Sequence, residues 1–330
     1  MRTSFIETLV QVAERDSRVW LLTGDLGYSV LEKFSTKFPD RYLNAGVAEQ
    51  NMVGVAAGLA MTGKVVFVYS IANFPTLRCL EQFRNDVCYH NLSVKIVAVG
   101  CGLAYGGHGY THHGVEDIGV MSLLPHVTVM APGDPVETRW ATRTLAEHAG
   151  PAYLRLGKAG EPVVHQSEPR IELGKAVQVI DGTQATLIST GGMLETAVRI
   201  ATILAARRVS VRVLSMPTLR PFDADRVIAE AKRTGRIITL EEHGPGGLGT
   251  MVGECLAQAG LGVRFVPMRL QPEPTLCAGS QAYLCGRHGL SLERMVEVTE
   301  EVAGTPAADR LRDYGVPIPQ PVGSGRERVS

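Results

Sequence analysis

Short β-rich runs alternate with helical patterns along this chain, and that alternation predicts an α/β protein with largely parallel sheets. Two further observations predict two domains. The chain has 330 residues, 45% hydrophobic and 20% charged, which is enough for two ordinary cores. Its periodicity also lapses between Gly157 and Gly174, where Gly157-Lys158-Ala159-Gly160-Glu161-Pro162 and Gln166-Ser167-Glu168-Pro169 fall. The expected organisation is a first domain over residues 1–160, a linker over 161–175 and a second α/β domain over 176–304. Residues 305–330, rich in Pro, Gly and Arg, read as a flexible tail.

Residues 5–15 form an amphipathic pattern, with Phe5, Ile6, Leu9, Val12 and Ala13 on one face. Val19-Trp20-Leu21-Leu22 is a strand ending in the turn Thr23-Gly24-Asp25-Leu26-Gly27, at the carboxyl end where ligands of such sheets gather. A helix starting at Glu49 precedes a strand over 65–69. Pro75 is placed to open a helix from Thr76 towards Tyr89. Strands over 94–99, 127–130 and 152–156 follow, with a helix from about 135 to 148. The second domain reads as strands near 186–189, 211–214, 237–240 and 263–267, with helices over 194–206, 223–232, 248–259 and 292–302.

A formal net charge of zero gives neither a nucleic-acid footprint nor an acidic tail. No apolar run reaches the roughly 18–20 residues that cross a bilayer. The start, Met1-Arg2-Thr3-Ser4-Phe5-Ile6-Glu7, lacks the apolar core of a signal peptide. Six scattered cysteines without a C-x-x-C pair read as reduced thiols of a cytoplasmic protein.

The most informative stretch is Tyr42-Leu43-Asn44-Ala45-Gly46-Val47-Ala48-Glu49-Gln50-Asn51-Met52. Gly46 allows a sharp entry, and a carboxylate then opens a helix of Ala, Gly, Val, Leu and Met. That helix is apolar all round and is expected to be buried. By residue type alone, Glu49 offsets the helix dipole or caps free amides. The segment from Asn44 to Met52, however, resembles the G-[VI]-x-E-[QH]-x-M segment of transketolases, deoxyxylulose-phosphate synthases and their relatives. The resemblance implies that Glu49 pairs with N1′ of the aminopyrimidine ring of thiamine diphosphate. That pairing favours the imino tautomer, which removes the thiazolium C2 proton and makes the cofactor a nucleophile and electron sink.

Phe74-Pro75-Thr76-Leu77-Arg78-Cys79-Leu80-Glu81-Gln82-Phe83-Arg84 resembles the F-x-T-x-R-x-x-E-Q-[IF]-R stretch of transketolases. Phe74 is then implied to stack on the pyrimidine ring. Ile71 and Leu77 stand where the family often carries further aromatics, so the implied cage is more aliphatic. Without the motif, a lone Phe at a strand–helix junction reads as core.

Tyr105-Gly106-Gly107-His108-Gly109-Tyr110-Thr111-His112-His113 concentrates imidazoles. Its glycines make a loop rather than a helix that would fix a ligand pair, and no cysteine completes a set, so no metal site is expected. The loop resembles the G-x-D-G-x-T-H loop of the same family. The resemblance implies that His112 faces substrate oxygens, where imidazole donates to a developing alkoxide or shuttles a proton. His108 replaces the family's Asp, which contacts a sugar hydroxyl, and so implies an acceptor unlike the common sugar phosphates.

Two family arginines that hold substrate phosphate correspond to Arg2 and, in Leu156-Gly157-Lys158, to Lys158. Lysine keeps the charge and loses the bidentate fork. A family histidine before the loop corresponds to Gly100. By type alone, Arg2 and Lys158 are solvated surface cations. Asp25 and Leu26 match a family G-x-D-L segment near the cofactor, and Asp25 reads equally as a turn carboxylate. Leu240-Glu241-Glu242-His243 resembles a segment of the family's C-terminal domain, where a structural role is the simpler reading.

The G-D-G…N motif that anchors the diphosphate through Mg²⁺ in this family is missing. The resemblance therefore implies half an enzyme: a pyrimidine-type domain binding thiamine diphosphate, then a transketolase C-terminal-like α/β domain. A separate N-terminal (α) subunit would bind Mg²⁺ and complete an α₂β₂ transketolase that moves a two-carbon ketol unit from a ketose or ketose phosphate to an aldehyde. Alternatives are the β subunit of a 2-oxoacid dehydrogenase or acetoin-type enzyme, a deoxyxylulose-type synthase, and a non-catalytic partner subunit. The Thr111-His112 loop and the Thr76–Arg84 segment favour transketolase. The retained Glu49 argues against a scaffold, which has no need of a carboxylate held away from water.

Overall fold

The computed structural model describes residues 1–304; the expected tail over 305–330 lies outside them. Val, Ile, Leu and Phe crowd the strand runs because helices cover both faces of the main sheet. Strands β1 (Val19–Thr23), β2 (Tyr42–Asn44), β3 (Val65–Ile71), β4 (Val94–Val99), β5 (Thr128–Met130) and β6 (Ala152–Leu156) lie in the parallel order β5-β6-β4-β3-β1-β2. Along β4, Val94, Ile96 and Ala98 point into one core while Val97 and Val99 point into the other.

Helices α1 (Arg2–Arg15), α2 (Glu32–Lys37), α3 (Glu49–Met61), α4 (Leu80–Gln82), α5 (Asp117–Leu123) and α6 (Pro135–Glu147) accompany this sheet. Phe5 of α1, Phe34 of α2 and Leu145 of α6 fill one side, and Met52 of α3 and Met121 of α5 fill the other. The start of α6 follows from local chemistry: Pro135 stands at the first turn and the Asp134 carboxylate accepts from the Glu137 amide.

The second sheet holds β7 (Val177–Ile180), β8 (Ala185–Ser189) and β9 (Val211–Ser215). After it, β10 (Thr218–Arg220) leaves to pair antiparallel with β5, and β11 (Arg236–Leu240) and β12 (Arg264–Met268) return. Its order is β12-β11-β8-β9-β7, with β7 antiparallel. Helices α7 (Leu194–Ala206), α8 (Ala224–Thr234), α9 (Leu248–Gln258), α10 (Gln281–Arg287) and α11 (Leu292–Gly304) cover it. One apolar core runs from Val129 of the first sheet to Ile188 and Leu214 of the second and to Met216 just after β9, so the two units are packed together through shared side chains. The segment between them is pinned as well: the Val164 and His165 amides donate to Asp134 Oδ2, each at 3.0 Å. Among the described residues no helix is long and apolar enough to cross a membrane.

Two expectations are corrected. Helix α3 is not buried all round, because Gln50, Asn51, Gly54, Gly58 and Met61 are exposed. Composition alone does not separate a helix surrounded by its own chain from one packed on a single side. Pro75 also does not open a helix. The Leu77 and Arg78 amides both turn back to the Asn73 carbonyl, and the Thr76 hydroxyl donates to the Ala72 carbonyl at 2.5 Å. Turns therefore run to Cys79, and α4 passes directly into a π-helix over Phe83–Cys88.

Candidate active site

The carboxyl ends of β1, β2, β3, β4 and β6 lie along one edge of the first sheet, and in turn they deliver Asp25 and Leu26, Glu49, Ile71 and Phe74, His108 and His112, and Lys158. Arg2 stands at the first position of α1. Parallel pairing thus gathers residues that are scattered in sequence.

Glu49 opens α3 just after Gly46, whose φ of 70° makes the sharp entry. Its side chain is 2% exposed, and Oε2 accepts from Arg78 Nη1 at 2.7 Å. Among the described residues Oε1 has no hydrogen-bond donor, and it faces Gly24, where a Cβ would stand 3.6 Å away. One oxygen is therefore held by a counter-charge and the other is not. The Arg78 guanidinium also lies 4.6 Å from the Phe74 ring centre.

From Phe74 the contacts continue. Its ring meets His112 edge-on at 5.4 Å, and His112 lies 5.1 Å from His108. The Thr111 carbonyl accepts from Asn73 Nδ2 at 3.2 Å, and the Thr111 hydroxyl meets His112 Nδ1 at 3.0 Å, which orients the imidazole. Desolvation, helped by the neighbouring His108, holds the His112 pKa below its ordinary value. At neutral pH it is thus mainly the uncharged ring, able to accept or donate a proton. Tyr105 stands 5.5 Å from His108, and Lys158 Nζ lies 4.9 Å over the Tyr105 ring. Among the described residues Arg2 Nε is buried without a hydrogen-bond partner.

Asp25 is exposed, with φ 55°, and is tied to Asn44: its amide donates to Oδ1 at 2.9 Å and its Oδ1 accepts from Nδ2 at 3.1 Å. Asn44 Oδ1 also accepts from the Gly46 amide at 3.0 Å, so this pair holds the approach to Glu49. The Leu26 carbonyl accepts from Thr23 Oγ1 at 3.1 Å, and Ile71 is half-buried at the end of β3.

The histidine loop is clamped from the second domain. Glu242 Oε1 accepts from the Leu103 amide at 2.6 Å, and His243 Nε2 accepts from the Ile118 amide at 3.1 Å. Arg155 bonds Asp117 at 2.8 Å, the Gly114 carbonyl at 3.0 Å and the Glu242 carbonyl at 2.9 Å. Glu241 caps α9 through the Leu248 and Gly249 amides, each at 2.7 Å. The functional-looking run 241–243 is thus fully engaged in fastening.

Sequence reasoning missed Arg78, Asn73 and Tyr105. The arginine in the F-x-T-x-R pattern was the available signal for Arg78; Tyr105 had none beyond its place in the loop. Among the described residues no group of three or more His, Cys, Asp or Glu could hold a metal ion. An apolar groove of about 870 Å³ lies elsewhere, between α5, α8 and α9, and contains none of the clustered residues.

Comparison with known proteins identifies the family of both domains. Residues 1–160 match the family model "Transketolase, pyrimidine binding domain", and residues 174–293 match "Transketolase, C-terminal domain". The chain is 36% identical over 303 residues to one of the subunits of the apulose-4-phosphate transketolase of Phocaeicola vulgatus, covering 91% of this chain and 96% of that protein. It is 33% identical to the SqwH subunit of the 6-deoxy-6-sulfo-D-fructose transketolase of a Clostridium species, covering 92% and 94% of the two chains. A solved structure described as a split-gene transketolase, inactive beta4 tetramer, superposes with a TM-score of 0.82 at 32% identity, covering 92% of this chain and 97% of that one. The chain belongs to the transketolase family of thiamine-diphosphate-dependent transferases, of which it carries the pyrimidine-binding and C-terminal domains.

Proposed function

We propose that this chain is the C-terminal subunit of a two-component transketolase. Its partner is an N-terminal-half (α) subunit that binds the diphosphate and Mg²⁺, in an α₂β₂ assembly located in the cytoplasm. The reaction moves a two-carbon ketol unit from a ketose or ketose phosphate to an aldehyde. Relatives named as separate transketolase subunits support the division of labour, and the six unpaired cysteines suit a reducing compartment.

The observation that carries the reading is Glu49, buried at the carboxyl edge of the sheet with Oε1 free and Phe74 linked to it through Arg78. A carboxylate so placed fits the ring nitrogen of an aminopyrimidine, and Phe74 fits its flat face. When bound, thiamine diphosphate supplies a carbon nucleophile and an electron sink. This chain's residues do the rest. Glu49 holds the proton at the pyrimidine nitrogen, Ile71 and Phe74 exclude water, and Asp25 and Leu26 shape the approach. His112 exchanges a proton with the substrate carbonyl or hydroxyl oxygen, and His108 contacts a neighbouring oxygen. Arg2 and Lys158 hold an anionic substrate tail.

The test compares the purified chain with the chain plus its α subunit. Alone, it should neither bind thiamine diphosphate at micromolar concentration nor turn over hydroxypyruvate, a generic two-carbon ketol donor; the mixture should do both with Mg²⁺. Mg²⁺-dependent turnover by this polypeptide alone would overturn the division.

A further inference from the structure

Tyr105 lies against both Lys158 and His108, and its position is tied to a glycine. A Cβ at Gly100 would stand 1.9 Å from Cε2 and 2.2 Å from Cδ2 of the Tyr105 ring, so the phenol occupies the space any larger residue at 100 would fill. Gly100 follows β4 with φ 69°, a conformation that itself favours glycine. The sequence resemblance places a substrate-contacting histidine at that position in the family. Here its space is filled from the loop side by an aromatic ring.

The ring also organises its neighbours. Lys158 Nζ rests 4.9 Å over its face, and His108 meets it at 87° with 5.5 Å between centres. Among the described residues no carboxylate makes an ion pair with Lys158, Arg2 or His108; the nearby Glu161 is taken by the Met1 amino group at 2.7 Å. A flexible lysine is a poor substitute for a forked arginine unless something orients it, and a cation held over an aromatic face is oriented.

We propose that Tyr105 is the specificity-determining residue of this site: its ring, seated on Gly100, holds Lys158 towards the terminal oxyanion, phosphate or sulfonate, of the ketose substrate, while His108 packs edge-on against the same ring and serves the neighbouring oxygen. This rests on the ketol-transfer reading above. The role belongs to the ring and not to the hydroxyl, because the contacts to Lys158, His108 and Gly100 are all ring contacts.

The experiment measures kcat and KM for the complex with the α subunit, using fructose, fructose 6-phosphate and 6-deoxy-6-sulfofructose as donors. Hydroxypyruvate turnover by the wild-type complex first establishes that ketol transfer occurs at all, so failure there strikes the proposed function and not Tyr105. Tyr105→Ala should lower the preference for a charged ketose over fructose about tenfold, mainly through KM, the size expected from a lost cation–aromatic contact. The charged ketose with the larger loss identifies the native oxyanion. Tyr105→Phe should stay within about twofold of wild type. Gly100→Ala should mimic Tyr105→Ala by displacing the ring, and the double variant should be no worse than Tyr105→Ala alone. Equal losses on charged and uncharged ketoses, or a Phe variant as impaired as Ala, would overturn the proposal.

Discussion

At the residue scale, Glu49 has two different oxygens. Arg78 occupies Oε2, and among the described residues Oε1 has no hydrogen-bond partner. Glu49→Gln keeps the size and both contacts possible but cannot hold the ionised partner of a ring nitrogen. Turnover by the assembled enzyme should fall by orders of magnitude while folding and assembly persist. Near-wild-type exchange of the cofactor C2 proton in the Gln variant would reduce Glu49 to a helix cap. The two loop histidines should separate. His112 is oriented by Thr111 and meets Phe74, so His112→Ala should depress every substrate. His108 is exposed and lies towards Tyr105, so His108→Asp should shift preference towards ordinary sugar phosphates. Parallel kcat/KM losses across a substrate panel for His108→Asp would assign the position to loop support.

At the element scale, the β4–α5 loop keeps its shape because the second domain grips both of its ends. His243 is central to that grip and is fully buried, with Nδ1 donating to the Gly244 carbonyl and Nε2 accepting from the Ile118 amide. The bond at Nε2 requires the neutral ring, because a protonated nitrogen cannot accept; the Nδ1 donation survives in either state. Burial pushes its pKa down to about 4, against the opposing charge of Asp117. The unfolded imidazole titrates near 6.5, so between these values the unfolded state binds more protons. Stability from this residue is therefore full above about pH 6.5 and is lost progressively as pH falls towards about 4, up to about 3 kcal/mol. Glu241, pushed up to about 7 by burial, runs the opposite way but titrates in both proteins of a matched pair. The difference in unfolding free energy between wild type and His243→Gln should therefore shrink as pH falls from about 7.5 to about 4.5. Denaturation curves that keep a constant gap would show that the ring is not held neutral.

At the scale of the whole molecule, the surface beside the site is unfinished. Val47, two residues before Glu49, is 76% exposed, and the first turn of α3 shows Gln50 and Asn51 to solvent, with Gly54 one turn further on. A reaction that must exclude water needs that side closed. Sedimentation of the chain with its α subunit should give a particle containing two copies of each, and activity should track that species. Full activity in a one-to-one particle would remove the α₂β₂ assignment.

Much of this was legible in the residues. The alternation of strands and helices needed only local periodicity, and Glu49, Phe74 and His112 stood in runs that resemble the motifs of transketolases. What the sequence could not contain was distance between segments. Arg78 reaches Glu49 only because the chain after β3 closes into turns through the Asn73 and Ala72 carbonyls instead of the helix that Pro75 suggests. Residues 218–220 join the first sheet because a short antiparallel edge was open beside β5, and three residues carry no pattern of their own. Tyr105 gained its place from the missing side chain at Gly100, five residues away and on the other side of the loop. Local propensity thus determined the elements, and the resemblance to a family's motifs pointed to the candidate groups. Tertiary packing decided which oxygen of Glu49 is free, what grips the histidine loop and which cations share one aromatic ring, because each of these depends on side chains meeting across strands that sequence order keeps apart.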